Sequence, residues 1–427
     1  MNMQINQPVR LTAAETALVE AFAAQVGELP GNGAVTGTRD RLLDDLKRSG
    51  LPTRRIESWH YTDLKNLLRA VPERVVGGVS VQPVAPLVEG AKVLSIVQGV
   101  ADNRATIDGV ELSVFKDQLA DGSAVAGLAA FDKDDAIARI NGSFVRDGFA
   151  LSVPADVSVE QPIELQAVHG AGQVHTRFPA VFGARSKATI IERHCAVTDD
   201  AALVSSISDL TLQDGAEITW IILQTQGADD THLGQIRISL GTDTKLRLFI
   251  VNAGGKLVRQ ELRVDVQGEG SEFTLRAVNL LGGDTHTDVT MVLGHNVPHT
   301  SSTEIIRNVL FDKASGVFQG MIKVAPDAQK TDAKMACNTL LMSDDADFSV
   351  KPELEIFADD VICGHGATVS DIDRNHLFYL MARGVPENRA RAMLVNAFVA
   401  EIVEELEEEK LVEALEGVIS DWLEKHA

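Results

Sequence analysis

Asp214-Gly-Ala-Glu-Ile-Thr-Trp-Ile221 is a small polar turn running straight into a short alternating strand. The same pairing recurs nearby. Gly183-Ala-Arg-Ser186 leads to Ala188-Thr-Ile-Ile191, Gly241-Thr-Asp-Thr244 to Lys245-Leu-Arg-Leu-Phe249, and Gly268-Glu-Gly-Ser271 to Glu272-Phe-Thr-Leu275. The turns follow one another at a little under thirty residues, a period that suits a solenoid. A single such strand can bury only one face, and stacking on the next repeat closes a continuous core. Two packed sheets of a sandwich would use similar strands, so periodicity alone leaves solenoid and sandwich level.

Outward from this middle the pattern changes at both ends. From about Ser80 the chain alternates, and over 157–324 it shows almost no convincing helix. Before that, residues 11–26 predict a helix. Thr12 and Glu15 form a capping box, Leu18, Phe22 and Val26 recur at helical spacing, and Gly27 stops it before Pro30. A second helix is expected over 40–48, closed by Gly50 and Pro52. Trp59 and Tyr61 read as anchors of a small helical unit on its neighbour. After Ser370 the helical period returns: Leu377, Phe378, Leu380 and Met381 share one side of 371–383, which Gly384 ends. Pro386 then opens a helix carrying Ala390, Met393, Leu394, Ala397, Phe398 and Ile402. Residues 401–427 hold ten acids against Lys410 and Lys425, which read as a solvated face. The last apolar stripe, Leu411, Leu415, Val418, Ile419, Trp422 and Leu423, is either docked on the chain's own body or offered to a partner. Three units are expected: an N-terminal helical domain over 1–80, a β core over 81–370 and a C-terminal helical domain over 371–427.

Composition narrows the function. A chain of 427 residues with 45% hydrophobic residues can bury a large core, while 5% aromatics and 34 glycines suit repetitive small-side-chain packing. A formal charge of -22 argues against nucleic acid and against an anionic membrane surface. Three scattered cysteines, Cys195, Cys337 and Cys363, form no disulfide framework and suit a reducing compartment. The opening Met1-Asn-Met-Gln-Ile-Asn has no basic and apolar leader, and no apolar run approaches bilayer length, so a cytoplasmic protein is expected.

Common catalytic signatures are absent from the sequence. Gly254-Gly255-Lys256 is followed by Leu257 and lacks the upstream glycine of a phosphate loop. No Gly-x-Ser-x-Gly elbow and no His-Glu-x-x-His pair occurs. His295-Asn-Val-Pro-His299, with His286, invites a metal reading, but Pro298 prevents a helix from aligning the two imidazoles; surface or turn histidines are expected. His194 and Cys195 are adjacent, so in a strand they face opposite sides, and Cys195 reads as structural.

One stretch concentrates the chemistry. Lys351-Pro-Glu-Leu-Glu-Ile-Phe begins as a strand and leads to Cys363-Gly-His-Gly-Ala367. In an extended segment Cys363 and His365 project to one face, and the flanking glycines permit a tight turn or a close partner. The bland alternative is a buried cysteine beside a turn histidine.

The run 351–368, with Leu377-Phe-Tyr-Leu-Met-Ala-Arg-Gly-Val385 after it, is similar to the C-terminal signature of the SufB/SufD family of iron–sulfur cluster assembly proteins. Arg307-Asn308, Phe318-Gln-Gly-Met-Ile-Lys-Val324, Lys330-Thr-Asp332 and Asn338-Thr-Leu-Leu341 resemble it as well. So do Pro52, Arg55, Glu57-Ser-Trp59 and Tyr61-Thr62 near the N-terminus. The Gly-His-Gly-Ala-Thr form of the key motif is that of the SufD branch.

The resemblance implies a right-handed parallel β-helix and decides between solenoid and sandwich. It implies a non-enzymatic scaffold that pairs with SufB through the β-helix, docks the ATPase SufC on the C-terminal helical domain and supports iron acquisition and cluster assembly. His365 would then sit at the shared interface as a ligand to iron or a transient iron–sulfur cluster, with Cys363 and Cys337 as further possible metal ligands. Cys337 stands where SufB-like proteins carry a functional cysteine and many SufD proteins do not, so it is either a relic or an extra thiolate. A flavin in the complex and a homodimer of the isolated chain are also implied, although no dinucleotide fingerprint is present. Two other readings compete: a polysaccharide-active β-helix enzyme, which would need acids along a solvent groove and usually an export signal, and a SufB-like homodimeric scaffold, which would need more cysteines.

Overall fold

The computed structural model describes residues 10–75, 81–102 and 106–426. Residues 1–6, read above for a leader, and Ser80, where alternation was expected to begin, lie outside the described residues.

The recurring polar turns place a left-handed residue at one fixed point of seven successive repeats. Asp156, Arg185, Gly215, Asp243, Gly270, His299 and Lys330 have φ between 53° and 75°. Glycine and short polar residues carry this conformation at least cost. The turns stack as the strands do: Arg185 N donates to Asp214 O (2.9 Å), and Gly215 N to Thr242 O (2.8 Å). Lys187 pairs with Glu217, Glu217 with Lys245 and Lys245 with Glu272, steps of 30, 28 and 27 residues.

The result is a parallel β-solenoid of about eight turns, built of a ten-stranded and a nine-stranded sheet. The ten-stranded sheet includes Ile163–His169, Lys187–Ala196, Glu217–Thr225, Lys245–Asn252, Glu272–Leu281, Ser301–Leu310, Asp332–Leu341 and Ile362–Ser370. The other runs from Asp147–Val153 through Gly172–Phe182 and Ala202–Leu212 to Asp347–Ile356. Between them lies one apolar core that includes Ile190, Trp220, Leu248, Leu275, Phe318 and Met335. The interior also carries a polar column in matched register, Gln224, Asn252, Asn279, Asn308 and Thr339. Asn252 Nδ2 donates to Asn279 Oδ1 (2.6 Å), Asn279 Nδ2 to Asn308 Oδ1 (2.7 Å), and Asn308 Nδ2 to Thr339 Oγ1 (3.0 Å). Such bonds satisfy amides that burial would otherwise penalise.

Helices cover the outer faces. Ala13–Gln25 has the expected capping box, and Gly33–Ser49 starts seven residues earlier than expected, with Asn32 Oδ1 accepting from Ala34 N and Val35 N. Two helices within the expected β core, Phe115–Asp121 and Ala136–Phe144, were not anticipated. The second packs with Leu203, Ile207, Leu233 and Leu257 of the nine-stranded sheet. Buried Arg39 ties helix Gly33–Ser49 to its C-terminal end, donating to Gly142 O, Ser143 O and Val145 O at 3.1, 3.0 and 2.8 Å. Trp59 anchors the unit as expected, its ring 4.2 Å from the guanidinium carbon of Arg259.

Arg374–Ala382, Glu387–Val403 and Glu409–His426 lie on the ten-stranded sheet. Ala390, Val399, Ile402, Leu415 and Trp422 pack with Phe249, Val278 and Val309, so the last apolar stripe is docked on the chain's own body. The acidic face is only partly solvated. Glu401, Glu405 and Glu407 pair with Arg307, Arg276 and Arg247 across that junction. No helix among the described residues is long and apolar enough to cross a membrane.

Candidate functional site at the open end of the solenoid

The last turn of the solenoid has no successor. Its strands Asp347–Ile356 and Ile362–Ser370 are the outermost of their sheets, and each leaves one edge unpaired. Pro352 lies in the first of them, a position that an edge strand tolerates. Lys351 reaches back from this strand to Glu57 of the N-terminal unit. Nearly all of Ile362–Ser370 is exposed.

His365 therefore lies mid-strand, not in the turn that the bland reading supposed. Register fixes its surroundings: Cys363 stands opposite Ala333, His365 opposite Met335 and Ala367 opposite Cys337. Paired residues of parallel strands share a face. Ala333, Met335 and Cys337 belong to the solenoid core, so Cys363 and His365 project on that same side, beyond its last covered layer. His365 is exposed and Cys363 is half-buried. Gly364 and Gly366 face the other way, and a Cβ at either position would meet nothing within 4 Å, so the backbone is open to close approach there.

The two other cysteines lie in the interior. Cys337 is buried, Asn308 Nδ2 lies 3.4 Å from its sulfur, and burial pushes its thiol up to about 12. It is offset from Cys363 by four register positions, about 13 Å along the strands at ~3.3 Å per residue. Cys195 packs with Val81 and Val168, and burial pushes its thiol up to about 11. Burial also raises the Cys363 thiol. A metal would have to displace its proton.

The histidine cluster resolves differently from the expectation of surface or turn positions. His299 does occupy a turn, as one of the left-handed residues above. His295 is buried instead, with ring nitrogens 2.8 Å from Thr300 Oγ1 and 3.2 Å from Ser302 Oγ, and burial lowers it to about 4. His286 is 2.9 Å from Thr62 Oγ1, part of the N-terminal anchor. His194 faces Glu192 at 2.8 Å in the interior, away from Cys195. Among the described residues no three His, Cys, Asp or Glu side chains converge on a closed metal site. An exposed imidazole and a half-buried thiol on one open face offer part of a coordination sphere, and the remaining ligands would come from another molecule.

Residues 166–398 match the family model described as the SUF system FeS cluster assembly, SufBD core domain. The chain is 30% identical to the iron–sulfur cluster assembly protein SufD of Escherichia coli over 379 residues, covering 86% of this chain and 88% of that protein. It is 28% identical to an iron–sulfur cluster assembly SufBD family protein of Synechocystis, covering 87% and 89%. It is 27% identical to SufD of Bacillus subtilis, covering 66% of each.

Proposed function

The chain belongs to the SufB/SufD family of iron–sulfur cluster assembly proteins, and on that premise we propose that it is a SufD-type scaffold without catalytic activity of its own. In this reading it pairs with SufB along the open strand Ile362–Ser370 and presents His365 to iron or a nascent cluster there. The observation that carries it is the exposed imidazole on an uncovered core face, beside Cys363 and an unpaired strand edge. Imidazole binds ferrous iron when neutral, and exposure leaves it free to orient. We assign Cys337 to packing, because its thiol is buried and the Asn308 amide already points at it. A polysaccharide-active enzyme is set aside by the family, and the flavin association finds no support among the described residues or the relatives' names.

The ATPase SufC would dock on the C-terminal helices, where Phe378, Tyr379, Met381 and Met393 stand exposed. Truncation from Asp371 is a poor test of that docking, since it would also bare Phe249, Val278 and Val309. Phe378→Asp should weaken SufC capture while leaving the SufB pair intact.

His365→Ala in the complex with SufB and SufC tests the central reading. Assembly by gel filtration should be unchanged, and iron and sulfide bound after anaerobic reconstitution should fall at least tenfold. Normal cluster yield from the variant complex withdraws the site.

A further inference from the structure

We propose that a small polar cavity, at the end of the solenoid remote from His365, binds one inorganic phosphate ion through Arg74, Arg146, His175 and Gln173. The cavity lies where the N-terminal segment meets the first turns, and it shares no residue with the His365 face. Its volume of about 170 Å³ is below the ~300–1,000 Å³ of sites for drug-sized ligands. A small ion fits there, and a nucleotide does not.

Two buried side chains present polar atoms to this cavity without a partner. Gln173 and His175 stand two residues apart in strand Gly172–Phe182, and extended backbone turns them to one face. Gln173 Oε1 and His175 Nε2 have no hydrogen-bond partner among the described residues. Their neighbours fix which is donor and which is acceptor. Arg177 Nε donates to Asn141 Oδ1 (2.8 Å), so Asn141 Nδ2 is the atom that donates to Ser205 Oγ (3.1 Å). The Ser205 hydroxyl then donates to His175 Nδ1 (2.8 Å), and the imidazole carries its proton on Nε2. Burial keeps that ring neutral at physiological pH. The Gln173 amide is fixed from its other end, where Nε2 donates to Pro72 O (2.8 Å). One free donor and one free acceptor therefore remain, and buried polar atoms in that state call for a ligand.

Charge selects the class of ligand. Arg74 and Arg146 line the same cavity, and between them stands the exposed Glu28, 2.7 Å from Arg74 Nη1 and 4.0 Å from Arg146 Nη2. Two guanidinium groups against one carboxylate leave a positive surplus, on a chain whose net charge is -22. Gly172 lets residues 73–75 lie against the strand, since a Cβ there would come 2.8 Å from Glu73 O and 3.0 Å from Val75 N. The Gln98 amide is already spent, accepting from Gly170 N and donating to Ala171 O. An oxyanion matches this set. Its oxygens accept from the two guanidinium groups and from His175 Nε2–H, in charge-assisted bonds. Gln173 Oε1 needs a donor, which the ion must carry itself. Inorganic phosphate keeps an O–H at neutral pH and sulfate keeps none, so the cavity should tell the two ions apart. Arg74 belongs to the N-terminal segment and His175 to the solenoid, so a bound ion also ties the two together.

The test uses the full chain, dialysed free of phosphate and labelled with 15N at histidine. Calorimetry should show phosphate binding at a single site, about tenfold more tightly than sulfate, the worth of one hydrogen bond to a charged group. The His175 ring resonances, identified by their loss in His175→Gln, should report the Nε2–H form and shift as phosphate is added. Arg74→Met should weaken phosphate and sulfate alike, by about tenfold. Gln173→Met, which fills the same space without an acceptor, should bring phosphate affinity down to that of sulfate. Phosphate should raise the melting temperature of the native chain and of His365→Ala equally. His175 resonances unmoved by millimolar phosphate, or equal affinity for phosphate and sulfate in the native chain, overturn the proposal. Phosphate binding undiminished in both Arg74→Met and Gln173→Met places the ion elsewhere and overturns it as well.

Discussion

The two ends of the solenoid are built to opposite specifications. At the first turns, strand Ile163–His169 is buried throughout, and the short antiparallel strands Val100–Ala101 and Glu111–Val114 occupy the sheet edges. Helix Ala136–Phe144 is itself wholly buried between the nine-stranded sheet and the N-terminal helices. At the last turn, strand Asp347–Ile356 is half-buried and Ile362–Ser370 is nearly bare. Ile356, Phe357, Ile362 and Val369 are exposed there together. A stacked repeat protein ordinarily caps both ends, because a terminal repeat lacks a neighbour to bury its apolar layer. The two final edges differ as well. Asp347–Ile356 carries Pro352 and the charged Lys351, Glu353 and Glu355, devices that discourage edge pairing, whereas 361–370 holds no proline and no acidic or basic side chain apart from His365. One end is finished within the chain, and at the other the last strands are left bare.

If that contrast is right, the most damaging substitutions belong at the closed end and its anchors. Arg259 is fully buried, pairs with Asp288 and with Glu261 at 3.0 Å, donates to Ser58 O at 2.6 Å and stacks on Trp59. Arg259→Ala should cost about 3–5 kcal/mol in denaturant unfolding, because two buried carboxylates lose their partner. A loss below 1 kcal/mol would mean that the N-terminal unit is held in some other way.

Part of the acid sensitivity should also lie at the closed end. His175 is stacked under Phe144 at 5.2 Å, with Nδ1 2.8 Å from Ser205 Oγ, and burial, with Arg146 and Arg39 nearby, lowers it to about 3. The unfolded chain takes up this proton first, near pH 6.5. The stability present above that pH is therefore lost as pH falls toward 3, by about 1.4 kcal/mol per pH unit. His175→Gln should flatten the acid limb by one proton in unfolding curves between pH 6.5 and 4. An unchanged slope would place the acid-sensitive group elsewhere.

The smallest stability effect is expected at the open end. Ile362→Asp should change unfolding free energy by no more than about 0.5 kcal/mol, as at ordinary surface sites. Co-purification with SufB should nevertheless be lost. A large destabilisation, or retained pairing, would remove the distinction between the ends.

Much of this plan was legible because local chemistry and fold agreed. The Thr12–Glu15 capping box, Pro386 before its helix and the repeated polar turns each announce one conformation. Helix Ala136–Phe144 escaped because Asn141-Gly142-Ser143 reads as a turn, although Ile137, Ile140 and Phe144 recur at helical spacing. Its Asn141 looks like a loop residue until its amide is seen donating to Thr176 O and Ser205 O. Strand Ser301–Leu310 misleads in the same way. Ile305 faces outward beneath the C-terminal helices, and Glu304 faces the core. At the site, the shared face of Cys363 and His365 follows from strand alternation alone. The place of Cys337 and Met335 relative to them depends on register across thirty-residue steps, which alternation does not fix.

The interior amide row has a sense of direction. Asn252 donates to Asn279, Asn279 to Asn308 and Asn308 to Thr339, every bond pointing toward the last turn. Reversing one amide would set oxygen against oxygen on one side and nitrogen against nitrogen on the other. The row must therefore flip as a whole or stay as it is. Aligned dipoles polarise one another, so each bond strengthens the next. The solenoid thus carries an electrical polarity along its axis, with the positive end of the row delivered beside Cys337, one strand short of the exposed strand Ile362–Ser370.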